Sequence, residues 1–280
     1  MKTIYSRGSR SGLRDRASLC RFALSLALVF AAFPHTALAV DGKEENIWQH
    51  RTAVYLWMAG LDGSTGNSIQ AGEIEASFSD ILNNFEAGFM FDYRGKKGKW
   101  GLGLDLIYLN IGPSPTITGP NPAPVGPPTV SAEGDVDLKQ WIVDFTGRYE
   151  VKPGFELLAG GRYVDLDVDA TINLPGPNGK QLNISGTESW VDPIIGAEYR
   201  GDFPGTDKWS YLMHGDVGGF GVSSDLTWQL YGYVGYRPTP KWLIYGGYRH
   251  MKIDYESDNQ AKFFYDMAVG GPVLGVGYHF

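Results

Sequence analysis

Charged side chains of both signs lie on one face of several segments in which polar and apolar residues alternate. They are Glu86, Asp92, Arg94, Asp105, Asp144, Arg148, Glu156, Arg162, Asp192, Glu198, Arg200, Asp216, Arg237 and Arg249. Rings of one sign inside a pore select ions, whereas mixed signs in a narrow interior pair with one another. The pattern therefore predicts lumen-lining charges that fill a polar interior, and a narrow water-filled path is the alternative.

Histidine next to a carboxylate is the other pattern that could do chemistry. His214 and Asp216 share a strand face, and His250 has Asp254 and Tyr255 beyond it, towards the outer end of its strand. Neither pair has an evident nucleophile nearby, and the sequence contains no HExxH or GxSxG motif. The acidic residues also lack the spacing of a calcium loop. We therefore predict no enzyme, metal or cofactor; a hydrolase or acyltransferase at the rim is the less favoured alternative.

The elements that would position these charges are β-strands, because the alternation has a period of two. In residues 85–94, Phe89 and Phe91 point one way, while Asp92 and Arg94 point the other. The same pattern continues in 99–110, 136–150, 155–166, 188–200, 208–219, 225–237 and 241–254, with first and last strands at 48–61 and 264–280. Such strands present apolar residues to lipid and polar residues to a lumen. They predict an all-β, transmembrane, antiparallel up-and-down β-barrel of about ten strands.

The connections between these strands alternate in length. Short turns at 96–99, 151–154, 202–208 and 238–240 alternate with long loops at 62–84, 112–135, 167–187 and 255–263, and one short exception spans 218–224. This asymmetry places the short turns and both termini in the periplasm. Trp48, Trp100, Trp209 and Trp242 stand near strand ends, as an interfacial girdle requires. Merging the segments beside 218–224 would give eight strands, and a separate hairpin at 67–79 would give twelve.

Two of the long loops have a distinctive composition. The 112–135 loop contains seven prolines, which predict an extended or disordered segment that cannot pair as a strand and serves as a spacer or a binding element. In the 62–84 loop, Ser79 or Asp80 could cap a short helix. The chain is too short for a barrel that rises far above the membrane.

The two ends of the chain carry the signals for export. Residues 1–39 are a basic leader and an apolar run, with small residues Ala37 and Ala39 before the expected cleavage point, so a signal peptide precedes a barrel domain at 40–280. At the other end, Leu274, Val276, Tyr278 and Phe280 share one face. This row resembles the strand that the barrel-assembly machinery reads in outer-membrane proteins, which makes that machinery an expected partner.

Four segments resemble a largely uncharacterised group of small bacterial outer-membrane β-barrel domain proteins. They are Tyr55 to Gly60, Ser77 to Leu82, Trp190 to Gly196, and Gly215 to Gly221. The resemblance implies the barrel fold and the Gram-negative outer membrane, with membrane lipid as a partner, and it supplies no catalytic residues. Without residues 1–39, which hold 6 of the 24 basic and 1 of the 31 acidic residues, the net charge is 18 − 30 = −12 and no basic tract remains, which excludes nucleic acid as a partner. We therefore expect a structural or surface-binding envelope protein, with a passive porin for small solutes as the alternative.

Overall fold

The structure, a computed structural model, describes residues 47–66, 71–112, 117–120, 129–173, 181–257 and 262–280. The predicted signal peptide, with Ala37 and Ala39, lies outside these residues and stays a prediction. No helix within the described ranges has the length and apolar character needed to cross a membrane.

The described residues form thirteen strands and one short helix. The strands are β1 (Gln49–Trp57), β2 (Gly60–Gly66), β3 (Ala71–Ala76), β4 (Phe85–Lys97), β5 (Trp100–Ile111), β6 (Ile117–Pro120), β7 (Thr129–Lys152), β8 (Phe155–Asn173), β9 (Gln181–Asp202), β10 (Trp209–Gly219), β11 (Ser224–Tyr236), β12 (Trp242–Glu256) and β13 (Phe264–His279). The helix, α1, is Phe78–Asn83. We call the end of the barrel with the short connections the turn end, and the opposite end the loop end.

The barrel closes between the first and last strands. β1 and β2 pair with successive halves of β13, with Leu56 opposite Leu274 and Leu61 opposite Val269. The other edge of β1 pairs with β4, where Thr52 faces Tyr93. β1 and β2 thus act as one wall strand, and together with β4, β5 and β7 to β13 they make ten antiparallel wall strands. The prediction of ten strands is confirmed, and β3 and β6 are short additions at the loop end.

Three neighbouring strands are much longer than a membrane span requires. β7 has 24 residues, β8 has 19 and β9 has 22, against about 9–11 for a tilted transmembrane strand. The predicted loops 112–135 and 167–187 are therefore partly wrong: Ile117 to Pro120 pair with residues 129–132, and Val168 pairs with Gly186. β6 tolerates Pro120 because it is a short strand that ends there. The expectation that the barrel could not rise above the membrane is also wrong.

The helix begins two or three residues earlier than its predicted caps allow. Ser77, rather than Ser79 or Asp80, is the N-cap; its hydroxyl accepts from the Asp80 amide at 3.3 Å, and the Asp80 carboxylate accepts from the Ser77 amide at 3.0 Å. This reciprocal pair is a capping box. The hydrogen bonds from the Ser77 hydroxyl and amide lower the pKa of the Asp80 carboxyl.

The outer face of the wall strands carries a continuous apolar belt. Its exposed side chains include Val54, Leu56, Phe89, Leu102, Trp141, Phe145, Tyr149, Val151, Leu157, Tyr163, Val191, Ile195, Val234, Ile244, Leu274 and Val276. On β7 the belt extends from Trp141 to Val151, which is about 25 Å along the barrel axis for a tilted strand, the height of the apolar band of outer-membrane barrels. Trp48, Trp100, Trp209 and Trp242 are exposed at the turn end. The chain is an outer-membrane β-barrel.

Above the belt the outer face becomes polar. On β8 the outward row continues from Tyr163 to Asp165, Asp167 and Asp169, while Val164 and Leu166 between them are buried. We call residues 129–140 of β7, 164–173 of β8 and 181–190 of β9 the raised wall. The polar outer row of β8 indicates that this part of the barrel stands in water.

The end of the chain takes part in barrel closure. Phe280 and His50 exchange backbone hydrogen bonds of 3.0 Å in both directions, and the rings of the two residues stack with centroids 5.2 Å apart. Leu274, Val276 and Phe280 are exposed on the lipid side. Recognition of this row by the barrel-assembly machinery stays a prediction.

Candidate functional site

The barrel interior consists of two layers with different chemistry. Towards the turn end lies a charged layer, made of Arg51, Tyr55, Asp92, Arg94, Asp105, Asp144, Arg148, Glu156, Arg162, Glu198, His214, Asp216, Thr227, Gln229, Tyr231, Tyr233 and Arg249. Towards the loop end lies an apolar layer, made of Trp57, Ile107, Ile142, Val164, Leu166, Trp190, Met251, Ile253, Tyr255, Tyr265 and Met267. The side chains that sequence analysis selected belong mainly to the first layer.

Arg162 is the centre of the charged layer and is 0% exposed. Its Nε and Nη2 each donate to a different Asp144 oxygen at 2.8 Å, Nη2 also donates to Asp216 at 3.0 Å, and Nη1 donates to the Thr227 hydroxyl at 2.8 Å. Planar, two-pronged contacts of this kind are the strongest ion pairs that arginine makes. One guanidinium on β8 therefore joins β7, β10 and β11 across the interior.

Glu198 on β9 is the matching anionic centre and is also 0% exposed. It accepts from Arg94, from Arg148 Nη2 at 3.1 Å and from His214 Nδ1 at 3.2 Å. Arg148 also donates to Glu156 at 3.0 Å, and Arg200 pairs with the same Glu156. Cations and anions alternate through this half of the layer, so each buried charge has an opposite neighbour.

His214 lies inside the charged layer and not at the rim. Its Nε2 is 2.8 Å from an Asp216 oxygen, and its ring stacks on Tyr231 with centroids 4.4 Å apart and planes 8° apart. Since both ring nitrogens contact carboxylates, the side chain is held as a structural member of the ion-pair network. His250 lies instead on the outer face of β12 beside Trp228, with ring centroids 5.2 Å apart. Within the described ranges, no group of three His, Cys, Asp or Glu side chains could hold a metal ion.

Arg51 and a set of neutral polar residues complete the layer, and sequence analysis did not identify them. Arg51 Nη2 donates to Asp92 at 2.7 Å, and Gln229 donates to Asp144 and Asp216 at 2.9 and 2.6 Å. The facing of β1 was ambiguous in the sequence, although the inward positions of Ala53 and Trp57 place Arg51 on the same face. Thr227 and Gln229 carry no charge, so a search of the sequence for charged inward positions did not select them.

Four predicted lumen charges lie outside the charged layer: Glu86, Asp192, Arg237 and the partly exposed Arg200, which pairs with Glu156 at the edge of the layer. Asp192 is buried beside the apolar layer, where it accepts from the Ser224 amide at 2.7 Å and the Trp190 indole at 3.0 Å. Arg237 lies at the turn end and pairs with Asp202. The Asp192 hydrogen bond to Ser224 joins β9 to the start of β11, and the Arg237 pair joins the residue after β11 to the end of β9.

Glu86 is not in the interior, contrary to expectation. Its side chain is exposed and accepts from the Asn110 amide at 2.9 Å. A β-bulge between Phe85 and Ala87 breaks the register there, so the inward alternation does not extend to this residue.

The apolar layer closes the interior above the charges. Trp190 on β9 and Tyr255 on β12 stack with ring centroids 3.9 Å apart and planes 6° apart, and Tyr265 lies 6.3 Å from Trp190. Met251 and Ile253 beneath them are almost completely buried. The sequence predicted a polar interior, and at the loop end this apolar layer lies in its place.

Two cavities adjoin the charged layer, and both are small. The larger has a volume of about 40 Å³ and the smaller about 20 Å³, and both adjoin Asp92, Arg94, Asp105 and Tyr231. Such volumes hold at most about three water molecules. The charged side chains therefore fill most of the cross-section that they surround.

Comparisons with known proteins give matches in structure only. No protein-family model matches the sequence, and no curated protein matches it. The outer membrane protease OmpT of Escherichia coli is 8% identical, covers 86% of this chain and 99% of that one, and has a TM-score of 0.41. The translocator domain of autotransporter NalP from Neisseria meningitidis is 15% identical, with 95% and 98% covered and a TM-score of 0.39. The attachment invasion locus protein Ail of Yersinia pestis is 13% identical, with 83% and 98% covered and a TM-score of 0.33.

Those scores are low, and the description of this barrel rests on its own features. The closed strand order and the apolar belt on its outer face carry the fold and the location.

Proposed function

We propose that this protein is a non-conducting outer-membrane barrel whose role is structural or surface-binding and depends on the raised wall. The observation that carries the proposal is the filled interior, in which an ion-paired layer is followed by an apolar layer. A catalytic role is not part of the proposal, because His214 is enclosed by Glu198, Asp216 and Tyr231.

The charged layer supports the absence of conduction. An ion that crosses it would have to separate buried pairs such as Arg162 with Asp144, and leaving one partner of a buried pair uncompensated costs about 3–5 kcal/mol. The next barrier is the apolar layer, which offers few polar ligands in place of the hydration shell of the ion. Two successive barriers of different chemistry oppose both ions and small polar solutes.

The raised wall supports a surface-binding role. Its outer face is polar and its inner face packs Val164, Leu166 and Trp190 into the apolar layer, so it is a rigid extension of the barrel and not a loose loop. The connections between β6 and β7 and between β8 and β9 are attached to this extension. A rigid base of this kind presents loops to partners in solution.

Planar-bilayer recording tests the proposal. The purified wild-type barrel should give no discrete conductance steps under conditions in which an open-channel porin gives them. Discrete steps from wild type would reject the non-conducting barrel and favour the porin.

A passive porin is the second candidate, and one observation favours it. The two cavities adjoin the same four residues of the charged layer, so water-sized spaces lie side by side there. Liposome swelling in small sugars and amino acids would then report uptake with wild type. The proposed function predicts no swelling above that of empty liposomes.

Deletion of residues 121–128 tests the surface-binding part. Because β6 and β7 pair through residues 117–120 and 129–132, this deletion leaves the paired residues in place. Cells that carry it should insert the barrel normally and lose binding to the immobilised polysaccharides and matrix proteins that wild-type cells bind. A matched deletion of residues 204–206 at the turn end should retain binding. Binding that survives the first deletion would contradict a role for this loop.

A further inference from the structure

Three of the four short connections at the turn end are built in the same way. In each, a tryptophan begins the strand that leaves the connection, and a tyrosine of the neighbouring strand lies opposite it. The pairs are Trp100 with Tyr149, Trp209 with Tyr236, and Trp242 with Tyr278. Their ring centroids are 4.7, 5.0 and 4.9 Å apart, and all three tryptophans are exposed. Exposed aromatic residues at the ends of a barrel lie at the membrane interface, so these pairs mark one margin of the membrane.

A lysine directly precedes each of these tryptophans. The three are Lys99, Lys208 and Lys241, and their side chains are exposed. In each case the lysine carbonyl accepts a hydrogen bond from the backbone amide of the residue after the paired tyrosine, at 2.7, 2.7 and 2.8 Å. The lysines are therefore fixed at equivalent positions, about 3.3 Å farther along the strand than the aromatic pair. The long aliphatic stem of lysine allows its ammonium group to reach headgroups beside the rim.

Two further lysines lie opposite aromatic residues at the same end. Lys97, the last residue of β4, is exposed and lies opposite Trp100. Lys152, the last residue of β7, lies opposite Phe155, with its ammonium nitrogen 5.5 Å from the centre of that ring. Opposite residues of an antiparallel pair share one face, so both lysines lie on the outer face. We call Lys97, Lys99, Lys152, Lys208 and Lys241 the lysine collar.

Most of the lysine collar is not neutralised by neighbouring carboxylates. The carboxylates of Glu150 and Asp202 at this end form ion pairs with Lys96 and Arg237, which are not members of the collar. Lys152 packs on an aromatic ring. Among the residues that the structure describes, no ion pair involves the other four collar lysines.

The two ends of the barrel have opposite charge. Against those four lysines, Asp207 and a carboxylate at Phe280 offset at most two charges within the described residues, so at least two positive charges remain. On the raised wall the outward row of β8 is instead acidic, with Asp165, Asp167 and Asp169. An anionic headgroup therefore suits the turn end and is repelled by this row at the loop end.

We propose that the lysine collar binds the headgroups of anionic phospholipids, of the phosphatidylglycerol class, in the leaflet that surrounds the turn end. The aromatic pairs set the depth of the barrel in the membrane, and the lysines place positive charge just beyond them. A zwitterionic headgroup has no net charge and leaves the excess positive charge uncompensated, whereas each lysine near an anionic surface adds to the attraction. The inference is independent of whether the barrel conducts or binds a surface partner.

Electron paramagnetic resonance of spin-labelled lipids tests the preference directly. The full barrel is reconstituted in phosphatidylcholine vesicles with a trace of spin-labelled phosphatidylglycerol or spin-labelled phosphatidylcholine, and the fraction of each label held at the protein surface is measured. At low ionic strength wild type should favour phosphatidylglycerol by about twofold to fivefold. The preference should approach one at 1 M salt, where the Debye length is about 3 Å. Equal association of the two lipids at low ionic strength would overturn the inference.

Lysine variants locate the effect. Combined replacement by glutamine, Lys97→Gln with Lys99→Gln, Lys208→Gln and Lys241→Gln, should bring the preference close to one, and replacement of the same four residues by arginine should retain it. Lys139→Gln with Lys262→Gln should also retain it, because these exposed lysines lie at the loop end. An undiminished preference in the glutamine variant would overturn the inference. If that variant does not fold, the double variant Lys208→Gln with Lys241→Gln should still lower the preference, and an unchanged value would have the same meaning.

Inorganic phosphate distinguishes a lipid site from a site for soluble anions. Sodium phosphate and sodium chloride at equal ionic strength should reduce the preference for phosphatidylglycerol equally, because both salts act by screening. A much larger loss in phosphate would show that the collar binds the free ion in place of the headgroup, and would overturn the inference.

Discussion

The membrane part and the raised wall of this barrel are built with opposite polarity. In the membrane part, Phe145 on β7 faces lipid while Asp144 beside it is buried among charges. In the raised wall, Asp167 on β8 faces water while Leu166 beside it packs into an apolar core. A single strand ladder supports both arrangements because side chains alternate between faces whichever solvent surrounds them. Where lipid surrounds the barrel, the polar residues lie inside; where water surrounds it, the apolar residues lie inside.

The largest expected effect comes from removing the centre of the charged layer. Arg162→Ala leaves Asp144 and Asp216 buried without their cation, so the free energy of unfolding should fall by about 3–5 kcal/mol. Urea titration of the detergent-solubilised barrel measures this. The control is Arg237→Ala, which breaks a partly exposed pair with Asp202 and should cost at most about 1 kcal/mol. Similar losses in both variants would show that the interior charges contribute no more than surface pairs.

Truncation in the apolar layer tests whether the raised wall has a true core. Leu166→Ala removes a side chain that is 1% exposed, and the free energy of unfolding should fall by about 2–5 kcal/mol. Protection of raised-wall amides in hydrogen exchange should fall further than protection of amides in the belt. A loss below about 0.5 kcal/mol would mean that this region packs loosely and that its polarity is not inverted.

A charge on the outer face should distinguish the two regions. Phe145→Arg places a cation in the lipid belt and should reduce the free energy of unfolding in lipid vesicles by about 2–4 kcal/mol. Asp169→Arg makes a charge change on the exposed outer face of the raised wall, where it should cost about 0.5 kcal/mol or less. Equal costs would place the boundary of the membrane above Asp169.

The smallest effect concerns the capping box of α1. Ser77→Ala removes the acceptor of the Asp80 amide, and exchange protection in α1 should fall by about tenfold or less. Because the folded-state pKa of Asp80 is lowered, its contribution is present above the unfolded pKa of the carboxyl and is lost as the pH falls through the lowered value. The difference in protection between wild type and variant should therefore narrow in acid to the part that comes from the Ser77 hydroxyl as acceptor of the Asp80 amide.

The sequence predicted the membrane strands well because lipid imposes a simple rule on them. Every second residue from Trp141 to Val151 must suit lipid, so the opposite positions, such as Asp144 and Arg148, stand out. Ion pairing among the opposite positions followed from their mixed signs. The sequence did not predict which charges pair with which, because the pairing depends on which strands face one another across the interior.

The outer parts of the raised wall, residues 129–135, 167–173 and 181–187, were read as loop, although the sequence of β8 alternates just as regularly there. Residues 164–169 alternate Val, Asp, Leu, Asp, Val and Asp, which is a strand pattern with its apolar face inwards. The prediction placed apolar residues on the outer face of each strand, so it missed a stretch in which the apolar residues face inwards. The prediction for Glu86 was wrong for a different reason. A single-residue bulge changes the direction in which a side chain points without any change in composition.

The short β10–β11 hairpin has a mechanical consequence for the rim. Pairing of β9 with β10 stops at Ile194, and in the described chain residues 181–193 of β9 pair only with β8. Above that level the edge of β9 is not paired with β10, and it is joined to the other side by Trp190 stacked on Tyr255 and by hydrogen bonds from Ser223 to the Val191 carbonyl and from Ser224 to the Asp192 carboxylate; we call these contacts the seam. Side-chain contacts separate more easily than a ladder of backbone hydrogen bonds. Opening motions of the rim should therefore concentrate at this seam, while the wall strands within the membrane stay paired.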